Sequence, residues 1–319
     1  MAPAIQTFEL TKDYRVGFWR PRPYRALDRL TLEVAPGEVF GFLGPNGAGK
    51  TTTLKLLMQL VFPTSGRAEI LGRPVGDVGV RRRIGYLPEN PYFYENLTAE
   101  ELLDYFASLF DMPAPDRRRR VSQLLDEVGL GAERRLQLRK YSKGMVQRVG
   151  IAQALINDPD VVFLDEPMSG LDPIGRRDIR ALILRLRDAG KTVFFSSHIL
   201  SDAETLCSRV AILAGGRLAA SGRLTELAGY EIRGWEVVLG NVSPELLERS
   251  AGRYVRATPV SDGRYTFELA RDADVARFVT DMTGAGAALI AVHPLHTTLE
   301  EIFVTQVAKT TSAREGALA

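Results

Sequence analysis

Short apolar strands give way to helical spacing three times in the first two thirds of the chain. LTLEV (30–34) and EVFGFL (38–43), parted by the Pro36-Gly37 turn, read as strands, and a helix is predicted to start near Lys50. VVFLDEP (161–167) precedes a helix predicted over 178–188, and TVFFSS (192–197) precedes one over 202–207. Continuous apolar strands alternating with helices predict a parallel sheet covered on both faces.

Between these units, 97–155 carries no strand pattern. Thr98 with Glu101 three residues on forms a capping box ahead of LLDYFASLF, and Asp116 is the expected cap of a second helix ending near Gly129. The stretch reads as a helical insertion of about 90–155. After about residue 226 the rhythm changes to strand 235–239, helix 244–250, strand 253–258, a turn at Ser261-Asp262-Gly263, strand 264–269, helix 272–282 and strand 287–292. That is the β-α-β-β-α-β order of a ferredoxin-like unit. An amphipathic LEEIFVTQV (299–307) follows, then a polar tail expected to be disordered. The expected division is 1–226, 227–308 and a tail of 309–319.

Composition narrows the function classes. With 319 residues, 45% hydrophobic and 25% charged, the chain is neither disordered nor collagen-like. Its 41 basic and 39 acidic residues leave a formal +2, so no global field draws it to nucleic acid or to a membrane surface. One cysteine, Cys207, and three histidines, His198, His293 and His296, exclude a disulfide framework and leave no structural zinc site to expect. A reducing cytoplasm fits. The N-terminus lacks the apolar core of a signal peptide, and no apolar run approaches the about 18 residues of a membrane span. The chain is therefore expected not to cross a membrane by itself.

Gly44-Pro45-Asn46-Gly47-Ala48-Gly49-Lys50-Thr51 fits G-x-x-x-x-G-K-[ST] between a strand and a helix. The glycines let successive N–H groups curl inward around phosphate oxygens, and the helix N-terminus adds partial positive charge. Lys50 is expected to reach the outer phosphates and Thr51 to place its hydroxyl on Mg²⁺. Asp165 ends an apolar strand, where a Mg²⁺ partner belongs, and Glu166 beside it is placed to orient or deprotonate an attacking water. His198, just past the strand 192–197, is placed to hydrogen-bond a γ-phosphate and that water. A second phosphate-binding surface is expected where Tyr141–Arg148 opens a helix, with the Ser142 hydroxyl and the bare amide of Gly144. Two γ-phosphate surfaces too far apart to share one nucleotide suggest two chains facing each other.

Taken together these motifs resemble the nucleotide-binding subunit of ATP-binding cassette (ABC) transporters, over about residues 5–225. The resemblance implies an α/β P-loop NTPase core with a helical insertion, alongside the α+β ferredoxin-like accessory domain. It makes 44–51 the Walker A motif, with Thr52 also holding ATP, and 161–166 the Walker B motif. Ser169, Gly170, Leu171 and Asp172 become the D-loop, and His198 the switch histidine. Ser142, Lys143, Gly144 and Met145 become the signature that touches ATP held by a partner chain. Lys143 and Met145 depart from the usual LSGGQ. Glu89, in Tyr86-Leu87-Pro88-Glu89, stands where the family has a Mg²⁺-touching glutamine, and a carboxylate can still ligate Mg²⁺. The family stacks adenine on an aromatic at the position of Tyr14. Phe18 and Trp19 remain rivals because RVGFWRPRPYR (15–25) is longer than the usual connection.

Other residues have plainer readings. Three consecutive aromatics, Tyr92-Phe93-Tyr94, cannot all be buried on one face, so at least one should be exposed. The resemblance makes Glu89–Asn96 the groove for an integral membrane permease subunit. The arginines of 15–25 read as a solvated loop, Arg117–Arg120 as a solvated helix face, and Cys207 as a small core residue.

IGYLPEN, YSKGMVQR and TLEEIFVTQV are similar to the bacterial exporter branch that includes drug-resistance and polysaccharide-export ATPases. The expected protein is thus an ATP- and Mg²⁺-dependent ATPase, a head-to-tail homodimer, bound peripherally at the cytoplasmic face of the plasma (inner) membrane. No nucleic-acid partner is expected. An importer ATPase remains the alternative, as does a soluble cassette ATPase acting on nucleic acid or the ribosome. The latter lacks its marks here, a long coiled-coil insertion or a second cassette.

Overall fold

The hydrophobic pattern announces only part of the first sheet: the predicted strand 30–34 is the end of its second strand in chain order, in this antiparallel sheet and not in the parallel one. In the computed structural model, which describes residues 2–17, 19, 22–227 and 232–296, β1 (Ile5–Val16) pairs antiparallel with β2 (Arg22–Val34). Period-two alternation fails along β1 because the register slips between Thr7 and Leu10, where Glu9 takes a positive φ of 46°. Arg15, Arg22 and Arg25 belong to paired strand ends of this hairpin, not to a loop, and all three are exposed, as expected of solvated arginines. Arg25 is not free, lying 2.8 Å from Asp13 and 3.2 Å from Asp28. Phe18, the segment 299–307 and the tail 309–319 fall outside the described residues.

From β3 (Val39–Leu43) the chain turns through the phosphate loop into α1 (Lys50–Leu57), then rejoins the first sheet as β4 (Ser65–Ile70) and β5 (Arg73–Pro74). That sheet has the order β2-β1-β4-β5. A short α2 (Val78–Arg81) leads to β6 (Ile84–Leu87) and the helical insertion: α3 (Ala99–Ser108), α4 (Ala114–Glu127) and α5 (Lys143–Ala154). The Thr98–Glu101 capping box is formed in both directions. Asp116 does not cap α4. The helix begins three residues earlier than that cap requires, with Pro113 at the cap and Pro115 in the first turn, because the fixed φ and missing N–H of proline suit a helix start. Nor is Arg117–Arg120 wholly solvated. Arg117 donates to Asp104 at 3.0 Å and Arg120 to Leu155 O at 2.6 Å, tying α4 to its neighbours, while Arg118 and Arg119 are exposed.

The second sheet is completed by β7 (Val161–Asp165), α6 (Pro173–Asp188), β8 (Thr192–Ser197), α7 (Leu200–Leu206), β9 (Arg209–Ala214) and β10 (Arg217–Arg223). Its order is β10-β9-β3-β8-β7-β6, parallel throughout except for the antiparallel edge strand β10. Every residue of β3, β7 and β8 is buried, as their apolar runs predict. Phe194 packs between Phe42 at 5.2 Å and Phe40 and Phe163 at 5.7 Å, centroid to centroid. This filled interior holds the strand ends in place. α6 starts five residues before the predicted 178, because Asp172 accepts from Gly175 N at 2.7 Å and Pro173 opens the helix.

Contacts divide the described residues into two compact units, one reaching Leu224 and the other starting at Thr225. After α8 (Leu224–Leu227) come β11 (Ile232–Gly240), α9 (Pro244–Arg249), β12 (Arg256–Ser261), β13 (Arg264–Ala270), α10 (Val275–Gly284) and β14 (Ala288–His296). The sheet is antiparallel with the order β12-β13-β11-β14. This is the predicted split arrangement, although β12 starts three residues late and α10 is capped by Asp274. Its core gathers Val237, Leu239, Phe267, Leu269, Phe278 and Met282. Among the described residues no helix is long and apolar enough to cross a membrane.

Candidate functional site

Three parallel strands end side by side at Leu43, Asp165 and Ser197, and the loops leaving the first two help line a cavity of about 460 Å³, to whose lining His198 does not belong. The phosphate loop supplies Pro45, Asn46, Gly47 and the run Gly49–Thr52 to its wall. Gly44 and Ala48, the latter buried, do not line the cavity. A Cβ on Gly44 would stand 2.5 Å from Leu213 O, so no larger residue fits there. Gly49, at φ 108°, would meet Ala26 O at the same distance. The tight path of the loop therefore depends on glycine at both positions.

The charges behind the loop are buried and mutually constrained. Lys50 Nζ donates to Gly44 O at 2.7 Å and stands 3.1 Å from Glu166 Oε1, close enough to pair charge but off the direction of a hydrogen bond. Glu166 Oε2 lies 2.8 Å from His198 Nδ1. The Glu166 backbone sits at φ 49°, a conformation costing about 1–3 kcal/mol outside glycine. It is held there by Ser196, whose Oγ accepts from Glu166 N at 3.0 Å and donates to Asp165 Oδ1 at 2.6 Å. Sequence reasoning missed Ser196; the small polar pair closing TVFFSS was its signal.

Asp165 is buried, and the Thr51 hydroxyl is near enough to act on its charge. Desolvation raises its proton affinity, the Ser196 hydrogen bond and the Thr51 hydroxyl pull it back, and the charges of Glu166 and Glu89 push it up again. Its Oδ2 is buried without a hydrogen-bond partner. An orphaned carboxylate oxygen beside a hydroxyl is the donor set of a hard divalent cation. Glu89 lines the cavity wall, as does Glu166. Burial, helped by the Asp165 charge, pushes the Tyr86 hydroxyl up to about 12.

The β1–β2 hairpin forms the opposite wall with Tyr14, Tyr24 and Ala26. Tyr14 and Tyr24 are direct cross-strand partners, and Lys12 Nζ stands 5.1 Å from the Tyr14 ring centroid. Trp19, a rival to Tyr14, is 91% exposed and does not line the cavity. Tyr24 was not foreseen, because only the register of the two strands shows which ring faces Tyr14.

Ser142, Lys143, Gly144 and Met145 do not line this cavity. They open α5, where Ser142 Oγ accepts from Met145 N at 3.3 Å and both Ser142 and Lys143 are exposed. The D-loop lies against them: the Lys143 side chain covers Gly170, and Leu171 approaches Gly144. Asp172 caps α6, and Ser169 N donates to Glu166 O at 3.0 Å. Of the aromatic triplet, Tyr92 is 96% and Tyr94 69% exposed, while Phe93 is half-buried.

Residues 27–169 match the model of a family described as ABC transporter. An uncharacterized ABC transporter ATP-binding protein of Synechocystis is 47% identical over 308 residues, spanning 96% of this chain and 85% of that protein. The Nod factor export ATP-binding protein I of Cupriavidus metallidurans is 40% identical over 214 residues, 66% of this chain and 70% of its own. Among solved structures, a dimeric ATP-binding cassette in a post-hydrolysis state bound to ADP and Pi aligns with a TM-score of 0.63 and 28% identity. That alignment covers 69% of this chain and 98% of the cassette.

Proposed function

The chain belongs to the ATP-binding proteins of the ABC transporter family, and from that premise we propose how its residues carry ATP hydrolysis. Adenine stacks on Tyr14, and the triphosphate lies in the loop 44–51 with Thr52 at its end. Lys50 leaves Glu166 for the outer phosphates. Support comes from its present position: a buried ammonium shared between two carbonyls and a carboxylate is already at the phosphate loop and needs only a stronger anion.

Thr51 and Asp165 would hold Mg²⁺, with Glu89 at the rim. Among the described residues no three metal-binding side chains converge, which suits a cation that takes most of its ligands from phosphate and water. The cation would neutralise charge on the phosphates. Glu166 orients and deprotonates the attacking water, and the Glu166–His198 contact of 2.8 Å is the observation that carries this reading. His198, 40% exposed, is free to turn its other ring nitrogen toward a γ-phosphate.

The signature surface completes the site only in a partner chain. Ser142 and Gly144 lie outside the cavity of their own chain yet accessible at a helix N-terminus, which supports a head-to-tail pair closing over two nucleotides. A separate membrane subunit would dock at Glu89–Asn96, where Tyr92 and Tyr94 offer exposed rings directly after a cavity-lining residue. The pair would then work at the cytoplasmic face of the membrane. Export is favoured by the Nod factor export relative.

Glu166→Gln tests the scheme. ATP binding should persist, turnover should fall about a hundred- to ten-thousandfold, and an ATP-dependent dimer should accumulate on sizing chromatography. Undiminished turnover would remove Glu166 from the chemistry.

A further inference from the structure

Asp202 is buried, although nothing in the scheme above uses it. It sits in the first turn of α7, four residues after His198, with Oδ1 3.3 Å from Arg180 Nη1. Its Oδ2 is buried with no hydrogen-bond partner among the described residues. A half-satisfied interior carboxylate is destabilising, and an apolar side chain of similar volume would normally serve a core better. Desolvation raises its proton affinity, Arg176 and Arg180 oppose that, and Glu166 and His198 are both near enough to act on it.

Arg176 and Arg180 are four residues apart on α6 and so share one face of the helix. Arg176 Nε also donates to Leu171 O of the D-loop at 3.3 Å. One face of α6 therefore carries Arg176, bound to the D-loop backbone, and Arg180, bound to Asp202 in the turn that follows His198. The D-loop lies against the signature residues, and Ser169 N holds Glu166 O, so this helix face has Glu166 and the chain-to-chain surface at its D-loop end and the segment that carries His198 at the other.

We propose that Asp202 is a positioning residue for hydrolysis, which through Arg176 and Arg180 fixes the D-loop relative to the segment carrying His198. Arg180 anchors Oδ1, and Oδ2 is the oxygen that receives Arg176 when the D-loop shifts on closure of the ATP-bound pair. The proposal rests on the reading that Glu166 and His198 carry hydrolysis and that two chains close over ATP.

The test is steady-state ATPase activity of the full chain as Asp202→Asn, Arg176→Gln, their combination and Asp202→Glu, with thermal midpoints and ATP affinity alongside. Each of the first two should lower kcat about tenfold while KM for ATP stays within about twofold. The combination should be no slower than the worse single variant, because both break one linkage. Asp202→Glu keeps the carboxylate and should recover most of the turnover. Unchanged kcat, a loss confined to KM, or losses that multiply in the combination would overturn the proposal. Arg176 is half-buried, so Arg176→Gln still decides if Asp202→Asn does not fold: unchanged kcat there is equally fatal. Glu166→Gln run in parallel separates the two levels. Normal turnover in that variant defeats the hydrolysis reading itself, whereas a dead Glu166→Gln beside a normal Asp202→Asn defeats only the positioning role.

Discussion

The two compact units treat buried charge in opposite ways. The unit that carries the parallel sheet buries Lys50, Asp165, Glu166 and Asp202, three of them with a carboxylate oxygen that finds no hydrogen bond. In the C-terminal unit, among the described residues, Ser250 is the buried polar side chain and the core is otherwise apolar. Topology accounts for part of the contrast. Parallel strands end on the same edge, so their loops converge and can share polar groups, whereas antiparallel neighbours send alternate loops to opposite edges. Energetics accounts for the rest. Interior charge without a full complement of partners lowers stability, so it marks the place where a ligand supplies what the fold withholds.

The largest test of that contrast is Asp165→Asn. Turnover should fall by about a thousandfold, as expected for the loss of a preorganised charge at the reacting phosphate. The nucleotide-free chain should nevertheless melt about 2–4 °C higher at pH 7. The sign follows from linkage. Burial raises the Asp165 pKa in the folded state, so the folded chain holds that proton more tightly than the unfolded one, and the group favours folding only at low pH. That contribution is lost as pH rises through the folded value, and asparagine removes the neutral-pH penalty. A lower midpoint in calorimetry would mean that Asp165 is structural.

Gly144→Ala comes next. The added Cβ would stand 3.7 Å from Leu171, an ordinary contact, so the single chain should keep its midpoint and its ATP affinity. Hydrolysis should drop about ten- to a hundredfold, because the methyl group displaces a phosphate held across the pair. Lost ATP binding by the monomer would put the signature in its own chain's site.

Phe267→Ala probes the other unit. Removing a fully buried ring should destabilise the C-terminal unit by about 3–5 kcal/mol, read as a lower first transition in denaturant, with ATP turnover within about twofold. A parallel collapse of turnover would show that the two units are energetically one. The smallest effect concerns Cys207. Burial pushes its thiol far above the usual range, so alkylating reagents should leave it untouched until the fold opens. Rapid labelling in the native state would contradict its place in the core.

Much of the first unit is legible in the chain because its cues are local. The phosphate loop needs glycine where the backbone turns left-handed or is crowded, the strand before Asp165 is uniformly apolar, and the Thr98–Glu101 box lies within a single turn. Of the first sheet only the end of β2, LTLEV, was legible, since the slip at Glu9 destroys the alternation that would reveal β1. Asp116 was misplaced as a cap because two prolines had already started the helix.

The sequence by itself determined the kinds of group present and their order: a phosphate loop, a carboxylate pair after a buried strand, a histidine after the next, and a β-α-β-β-α-β unit behind them. Neighbouring residues decide such features through backbone preference and periodicity. Only the tertiary structure decided that Tyr24 stands beside Tyr14, that Lys50 rests on Glu166, and that Asp202 is linked through α6 to the D-loop. These pairings join residues far apart in the chain, and strand register and helix packing, not local propensity, bring them within a few ångströms.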